Sequence, residues 1–257
     1  MQAQETGQLA YSRVRPEAVY DIESRNRKAQ TILSVLRDRL SVPFHRLSVL
    51  DIGCSTGIIA HALAAHFKKV VGIDVDAHAI GFARATFQHP NLEFRIQDGL
   101  ALNVREGSFE VAVCAHVYEH VPDAQRLMAE IHRALAPGGV CYFAAGNRLA
   151  VREPHYGLPF LSWLPKKAAH AYIRVLRRGR VYDETHRTVW GLKQLVREFN
   201  VHDYTRRLIE TPHAFGLDYL LREGTRRHRL AVLAVRHFYW LCPTYIWLLE
   251  KPVSSSW

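Results

Sequence analysis

Asp51, Gly53, Gly57 and Asp74 stand in an order that suits the grip of a nucleoside. His116, Glu119, His120, His155 and Tyr156 are the side chains able to move a proton beside it. Residues 48–60 read S-V-L-D-I-G-C-S-T-G-I-I-A: a short apolar run, two glycines with only the small Cys54, Ser55 and Thr56 between them, then a helix-compatible run. Glycine lets a backbone approach a ligand closely, and a helix start offers unpaired N–H groups to a polar or anionic partner. Asp74 lies 17 positions after Gly57, about where nucleotide-binding βαβ units keep a carboxylate for ribose hydroxyls. The spacing G-x-x-x-G departs from the dinucleotide pattern G-x-G-x-x-G. Asp51, just before the turn, would repel a pyrophosphate but suits a ligand with a positive ammonium group. Farther along, Glu119 and His120 are adjacent and ionisable, an arrangement that fits acid–base chemistry.

S-adenosylmethionine is a ligand of that kind, joining adenosine, a sulfonium and an amino acid with no phosphate. At these residues the sequence resembles the class I S-adenosylmethionine-dependent methyltransferases, particularly the type 11 group, whose first motif reads V-L-D-I-G-C-x-x-G. The competing reading, a plain βα turn with incidental glycines, does not account for the ordered set Asp51, Gly53, Gly57 and Asp74. The resemblance implies S-adenosyl-L-methionine as cofactor. It would be held by Asp51, Gly53, Cys54, Ser55 and Gly57, by Asp74 and Val75, by Asp98 and Gly99, and by Ala115 and His116. In the family an acid after the third strand accepts a hydrogen bond from the adenine amino group, which implies that role for Asp98. A turn-capping aspartate is the other reading of D-G. The segment 116–121, H-V-Y-E-H-V, resembles the family's V-L-E-H-V stretch beside the methyl donor. His116, Glu119 and His120 are therefore candidate bases, with packing and hydrogen bonding as the alternative role.

These residues need a scaffold. Apolar, β-branched runs predict strands over 49–52, 70–75, 92–96, 109–115 and 140–145, with further strands at 201–209 and 244–250. Helical periodicity predicts helices over 16–40, 77–87, 124–135, 166–180 and 190–199, and a mainly helical stretch over 213–240. Ala136-Pro137-Gly138-Gly139 reads as a helix stop and tight turn into the fifth strand. Strands alternating with helices give an α/β fold with a mostly parallel, doubly wound sheet and helices on both faces. Ligands bind such sheets at the carboxyl ends of the strands, where all the singled-out motifs fall. The resemblance adds a Rossmann-like sheet of seven strands, with the seventh antiparallel between the fifth and sixth. The expected organisation is an N-terminal helical cap over 1–45, with residues 1–11 loose, and a methyltransferase domain over 46–257. That domain would carry a lid or acceptor insertion at 150–190 and a helical insertion at 211–242. His155 and Tyr156 are the preferred acceptor-side residues, because an insertion at that point would hang over the pocket.

Charge is unevenly placed. The chain of 257 residues carries a formal net +10, yet residues 51–150 sum to −2 and residues 151–257 to +9. A basic flank suits an anionic acceptor, a nucleic acid or a membrane surface. Residues 160–180 and 226–249 mix aromatic and aliphatic side chains with Lys and Arg, as interfacial helices do, and an acceptor lid with a solvated outer face looks the same. The four cysteines lack C-x-x-C spacing, so buried thiols are expected, with no disulfide framework and no metal. The first residues are polar, with no apolar signal core, and no apolar run reaches the length of a spanning helix. A cytoplasmic protein with peripheral membrane contact is the expectation; the oligomeric state is not encoded legibly.

Three functions compete. One is methyl transfer to oxygen or carbon of a small or hydrophobic acceptor, such as a natural product or lipid-linked precursor, in small-molecule biosynthesis. Another is nucleic-acid methylation through the basic flank, against which stand the lack of an N-P-P-Y-like segment, of a P-C nucleophile and of a separate RNA-binding module. A third is a non-catalytic protein that binds S-adenosylmethionine and acts by interaction.

Overall fold

Val49, Leu50 and Ile52 are buried on both faces of the sheet, as a central parallel strand requires. They belong to β1 (Ser48–Ile52), from which the rest of the sheet spreads in a computed structural model that describes residues 11–14, 16–179 and 181–253. The other strands are β2 (Lys69–Asp74), β3 (Leu92–Ile96), β4 (Phe109–Ala115), β5 (Leu135–Gly146), β6 (Asn200–Asp203) and β7 (Thr244–Glu250). Their order is β3-β2-β1-β4-β5-β7-β6, with β7 antiparallel to β5 and β6 and the other neighbouring pairs parallel. The order reverses between β1 and β4, and the crevice outside their carboxyl ends is where such sheets take ligands.

Alternation along the strands divides the core in two. Leu50, Ile52, Ala112 and Cys114 face one layer with Leu127, Met128 and Ile131 of α6 (Ala124–Ala134). Val49, Val111 and Val113 face the other, against Leu33 and Leu36 of α3 (Ile22–Arg39) and Leu63 of α4 (Ile58–Ala64). Two short helices, α1 (Tyr11–Val14) and α2 (Pro16–Val19), precede α3, and α5 (Ala77–Thr86) links β2 to β3. The segment after β5 holds α7 (Lys166–Val175) and packs a small core of its own from Leu158, Leu161, Ala169, Ile173 and Tyr182. Helices α8 (Val189–Leu195), α9 (Thr205–Glu210) and α10 (Arg226–His237) complete the chain.

Several sequence expectations are corrected. The helix over 16–40 is broken, because Asp21 caps a fresh helix by accepting the Ser24 N–H at 3.0 Å. Pro137-Gly138-Gly139 lies inside β5, not before it. Leu135 pairs with Phe109 and Val140 with Val111, so the extra residues are absorbed as an irregularity in the ladder. The sixth strand ends at Asp203, whose Oδ1 accepts the Thr205 N–H at 2.9 Å. The T-R-R-L-I run beyond it is helical, burying Thr205 and Leu208 at a spacing of three while Arg206 and Arg207 stay outside. The lid helix stops at Val175, since Arg177 adopts a left-handed φ of 53°. Of 213–240, only Arg226–His237 is α-helical, flanked by the 3₁₀ turns Pro212–Phe215 and Tyr239–Leu241. The expectations for residues 1–10 and for Arg180 lie outside the described residues.

Candidate active site at the carboxyl ends of the strands

The glycine turn after β1 is shaped by close packing. Gly53 and Gly57 have φ of 69° and 76°, and a Cβ on Gly57 would meet the Phe94 ring at 2.6 Å and the Ala83 Cβ at 2.8 Å. Gly57→Ala is therefore expected to cost ~1–3 kcal/mol of stability through backbone strain and overpacking. A urea midpoint equal to that of the parent chain would contradict this. Asp74 holds the turn from β2: its two carboxylate oxygens accept the N–H of Ser55 at 2.8 Å and of Asp76 at 2.9 Å. Asp76 in turn caps α5 and accepts the Ser12 N–H at 2.8 Å, while the Thr56 hydroxyl donates to the Val19 carbonyl at 2.6 Å. The N-terminal helices thus lie directly on the crevice loop.

Asp51 is buried beneath this turn, and its Oδ2 has no hydrogen-bond partner among the described residues. Burial pushes its carboxyl up to about 7, with Arg25 opposing and Asp74 adding to the shift. Arg25, from α3, lies within electrostatic reach of Asp51, Asp74, Asp21 and Tyr11, and its burial lowers the guanidinium against their pull. Sequence reading missed it, for nothing in the pattern sets it apart from Arg27 or Lys28 on the same helix. Cys54 is buried, and Val75 follows the end of β2. Asp98 is exposed and accepts the Leu100 N–H at 2.8 Å through Oδ1, the turn-capping geometry. Gly99 packs under Leu127 and Ile52.

At the end of β4, next to Ala115, His116 takes a left-handed φ of 59°, a conformation that costs ~1–3 kcal/mol for a non-glycine residue and tends to persist at functional sites. Its Nδ1 lies 3.1 Å from Oε1 of Glu119, which is fully buried and whose Oε2 has no hydrogen-bond partner among the described residues. Burial disfavours the charge on Glu119, but the His116 contact and the imidazoles of His120 and His186 hold it down to about 2. His120 is pushed down to about 4 by burial, against the attraction of Glu119.

Residues after β5 bring further ionisable groups to this cluster. The His155 ring centroid is 5.2 Å from that of His120, 6.2 Å from His116 and 5.9 Å from His186. Glu153 Oε1 lies 2.9 Å from His155 Nδ1 and 3.4 Å from His186 Nε2, and its Oε2 accepts the Tyr156 N–H at 2.6 Å. Burial works against charge on His155, yet Glu153, Glu184 and Glu119 outweigh it and push the imidazole up to about 9. Glu184 itself is pushed up to about 8 by burial, with His155 opposing. The Tyr156 hydroxyl donates to the Val181 carbonyl at 3.1 Å and stacks edge-on with Tyr182, so Tyr156 braces the lid while His155 joins the cluster. The chain's return is pinned by Thr185 N–H to the Glu119 carbonyl at 2.7 Å and by Arg187 N–H to the Tyr118 hydroxyl at 3.0 Å. Glu153, Glu184 and His186 were not anticipated. Their signal was a repeated E-x-H pattern, Glu153-Pro154-His155 and Glu184-Thr185-His186.

Comparison with known proteins agrees with this geometry. The family model described as "Methyltransferase domain" matches residues 50–143. The ubiquinone biosynthesis O-methyltransferase of Coxiella burnetii (strain RSA 493 / Nine Mile phase I) is 32% identical over 133 residues, covering 50% of this chain and 57% of that protein. The enzyme of the same name from Albidiferax ferrireducens is 33% identical over 139 residues, covering 50% and 54% respectively. The chain thus spans little more than half the length of these curated relatives. Among solved structures, an S-adenosylmethionine-dependent methyltransferase from Mesorhizobium loti superposes with a TM-score of 0.57 at 19% identity, covering 86% of this chain and 98% of that one. Geranyl diphosphate C-methyltransferase from Streptomyces coelicolor A3(2) gives a TM-score of 0.51 at 16% identity, covering 88% and 79%. Sheet order and sequence match agree in this: residues 50–143 match a methyltransferase domain, and the chain shares the fold of S-adenosylmethionine-dependent methyltransferases of known structure.

Proposed function

We propose that the protein transfers a methyl group to an oxygen of a small, hydrophobic or lipid-like acceptor. The observation that carries this reading is the convergence of His116, Glu119, His120 and His155 where β4 ends, beneath a lid with its own core. S-adenosylmethionine, when bound, supplies an electrophilic methyl group. The residues present fit it. Asp51 offers a buried carboxylate oxygen without a partner, suited to an ammonium group. Asp74 has lone pairs beyond the two it spends on the turn, available to ribose hydroxyls. Gly53 and Gly57 keep the loop free of side-chain bulk, and Arg25 is suited to a carboxylate.

The remaining work falls to the chain's own side chains. Displacement at a methyl carbon gains most from alignment in a dry pocket, which the lid and the N-terminal helices provide by covering the crevice. A hydroxyl acceptor must also lose a proton, and the imidazoles beside Glu119 are positioned to hold it. Oxygen as the methylated atom is supported by the name that the relatives share, O-methyltransferase. The test is incubation of the purified protein with methyl-labelled cofactor and a metabolite extract, followed by mass spectrometry for products heavier by about 14 mass units, one CH₂. Calorimetry that detects no binding of S-adenosylmethionine would favour the interaction-protein reading instead. Labelled nucleic acid, with no labelled small molecule, would favour the basic-flank reading.

A lipid-like acceptor suits the outer surfaces. Phe160 and Trp163 are exposed beside the basic helix α7, and Leu230 and Leu233 are exposed on α10 among Arg226, Arg227 and Arg229. Lys166 does not share this role, because its ammonium donates to the carbonyls of Tyr182 and Glu184. No helix among the described residues is long and apolar enough to cross a membrane, so any contact would be peripheral. The expected result is flotation with anionic vesicles at low salt, weakening as salt rises, and a loss of flotation when Leu230 and Leu233 are both changed to Ser. Recovery only in the bottom fraction at low salt would remove the membrane from this picture.

A further inference from the structure

We propose that His116, Glu119 and His155 form a binding site for one divalent transition-metal ion. Cysteine spacing pointed away from a metal, but the folded chain gathers a different donor set. Each of the three side chains offers one ligand atom, and these atoms lie within 4.8 Å of one another. His116 Nδ1 and Glu119 Oε1 are 3.1 Å apart, a separation compatible with two ligands each about 2.1 Å from a shared ion.

A hydrogen bond alone would explain that one distance, so the inference rests on what the bond leaves over. Glu119 is fully buried, and its Oε2 has no hydrogen-bond partner among the described residues. Glu153 and Glu184 are buried in the same cluster, and Glu184 Oε2 also lacks a partner. Carboxyl groups thus crowd one small buried space, and a buried carboxylate oxygen without a partner is costly. A divalent ion supplies the compensation in one atom. The outer layer is present as well. Glu153 Oε1 sits 2.9 Å from His155 Nδ1 and orients that ring. A carboxylate holding the far nitrogen of a metal-ligating histidine is a recurrent support of such sites.

Two imidazoles and one carboxylate make a nitrogen- and oxygen-rich set suited to Zn²⁺, Co²⁺, Fe²⁺ or Mn²⁺, with coordination positions left for an oxygen ligand. Glu153, His155 and His186 form a second trio with atoms equally close, but His155 is common to both and Glu153 already engages its Nδ1. The binding inference stands apart from methyl transfer. Its link to catalysis, polarising an acceptor hydroxyl, rests on the function proposed above.

The test is metal binding by the full chain without turnover. Protein freed of metal by a chelator is titrated with Co²⁺ and Zn²⁺, followed by calorimetry and by the visible absorption of Co²⁺. One ion per chain is expected. His116→Ala and Glu119→Gln should each weaken binding 10-fold or more, and Glu153→Gln should weaken it about 10–100-fold as an outer-layer change. A variant that still unfolds cooperatively without metal yet no longer binds Co²⁺ separates loss of the ion from loss of the fold. Absence of saturable binding, equal affinity in the His116 and Glu119 variants, or strong thiolate-to-Co²⁺ bands from the cysteines would each overturn the proposal. Loss of binding in His186→Ala but not His116→Ala would assign the ion to the other trio and overturn it too.

Discussion

Replacement of His155 by alanine is expected to lower kcat about 10²-fold or more while the Kd for S-adenosylmethionine stays where it is. The asymmetry follows from placement. His155 belongs to the lid and contacts the rings of His116, His120 and His186, so its removal disconnects the groups that would hold the acceptor's proton. The cofactor side of the crevice is built from other elements: the turn after β1, Asp74, and the helices that carry Ser12, Val19 and Arg25. Pre-steady-state measurement of a single turnover separates this from a lid defect, because a lid that merely fails to close raises KM for the acceptor along with lowering kcat. His155→Gln provides the second arm. Glutamine can keep the hydrogen bond to Glu153 and the shape of the segment but cannot carry the positive charge that His155 holds, so it should restore KM and leave kcat low. A kcat within threefold of the parent in both variants would exclude His155 from the chemistry.

The placement of the residues expected to hold the cofactor was legible in the sequence because they are local to strand ends. Asp51, Gly53 and Gly57 follow one strand directly, and Asp74 ends the next, so strand assignment alone brings them to one edge of the sheet. Strand β4 and the antiparallel β7 were likewise readable, the first from its unbroken apolar run and the second from the family's topology. The acceptor side was only half legible. His155 could be placed over the crevice as part of an insertion. Its partners Glu184 and His186 arrive from the far end of that insertion, after α7 has turned the chain back. No local period links residues so far apart, and only the repeated E-x-H pattern hinted at them.

The errors of local structure share a cause. The stretch after Asp203 carries β-branched and aromatic residues that look like a strand, yet burial of Leu208 and Thr205 together is possible only with helical spacing. Pro137-Gly138-Gly139 has the composition of a turn. Pairing of Leu135 with Phe109 nevertheless starts the strand before it, and Gly138 accommodates the irregularity with a φ of 73°. In both places tertiary pairing overrode a correct local propensity.

Between pH 5 and 7, the affinity for S-adenosylmethionine is expected to rise with pH, by as much as about tenfold per unit, and to level off above 7. Asp51 is the reason. Burial holds its carboxyl up to about 7, so the ligand-free protein keeps a proton there that an unfolded chain would release near the ordinary aspartate value. A folded pKa raised in this way contributes stability that is complete below the unfolded value and is lost as pH climbs through about 7. An ammonium group brought against Asp51 favours the carboxylate, so binding must expel that proton, and expulsion becomes easier as pH approaches 7. The ligand's own amine stays charged across this window, which assigns the slope to the protein. Titrations at pH 6 in two buffers of different ionisation enthalpy should give different apparent heats of binding. Asp51→Asn should abolish both the slope and the buffer dependence, weaken binding at pH 8, and raise the thermal midpoint of the ligand-free protein at that pH. A wild-type affinity that is flat from pH 5 to 7, or a slope that survives in Asp51→Asn, would place the ammonium elsewhere in the crevice.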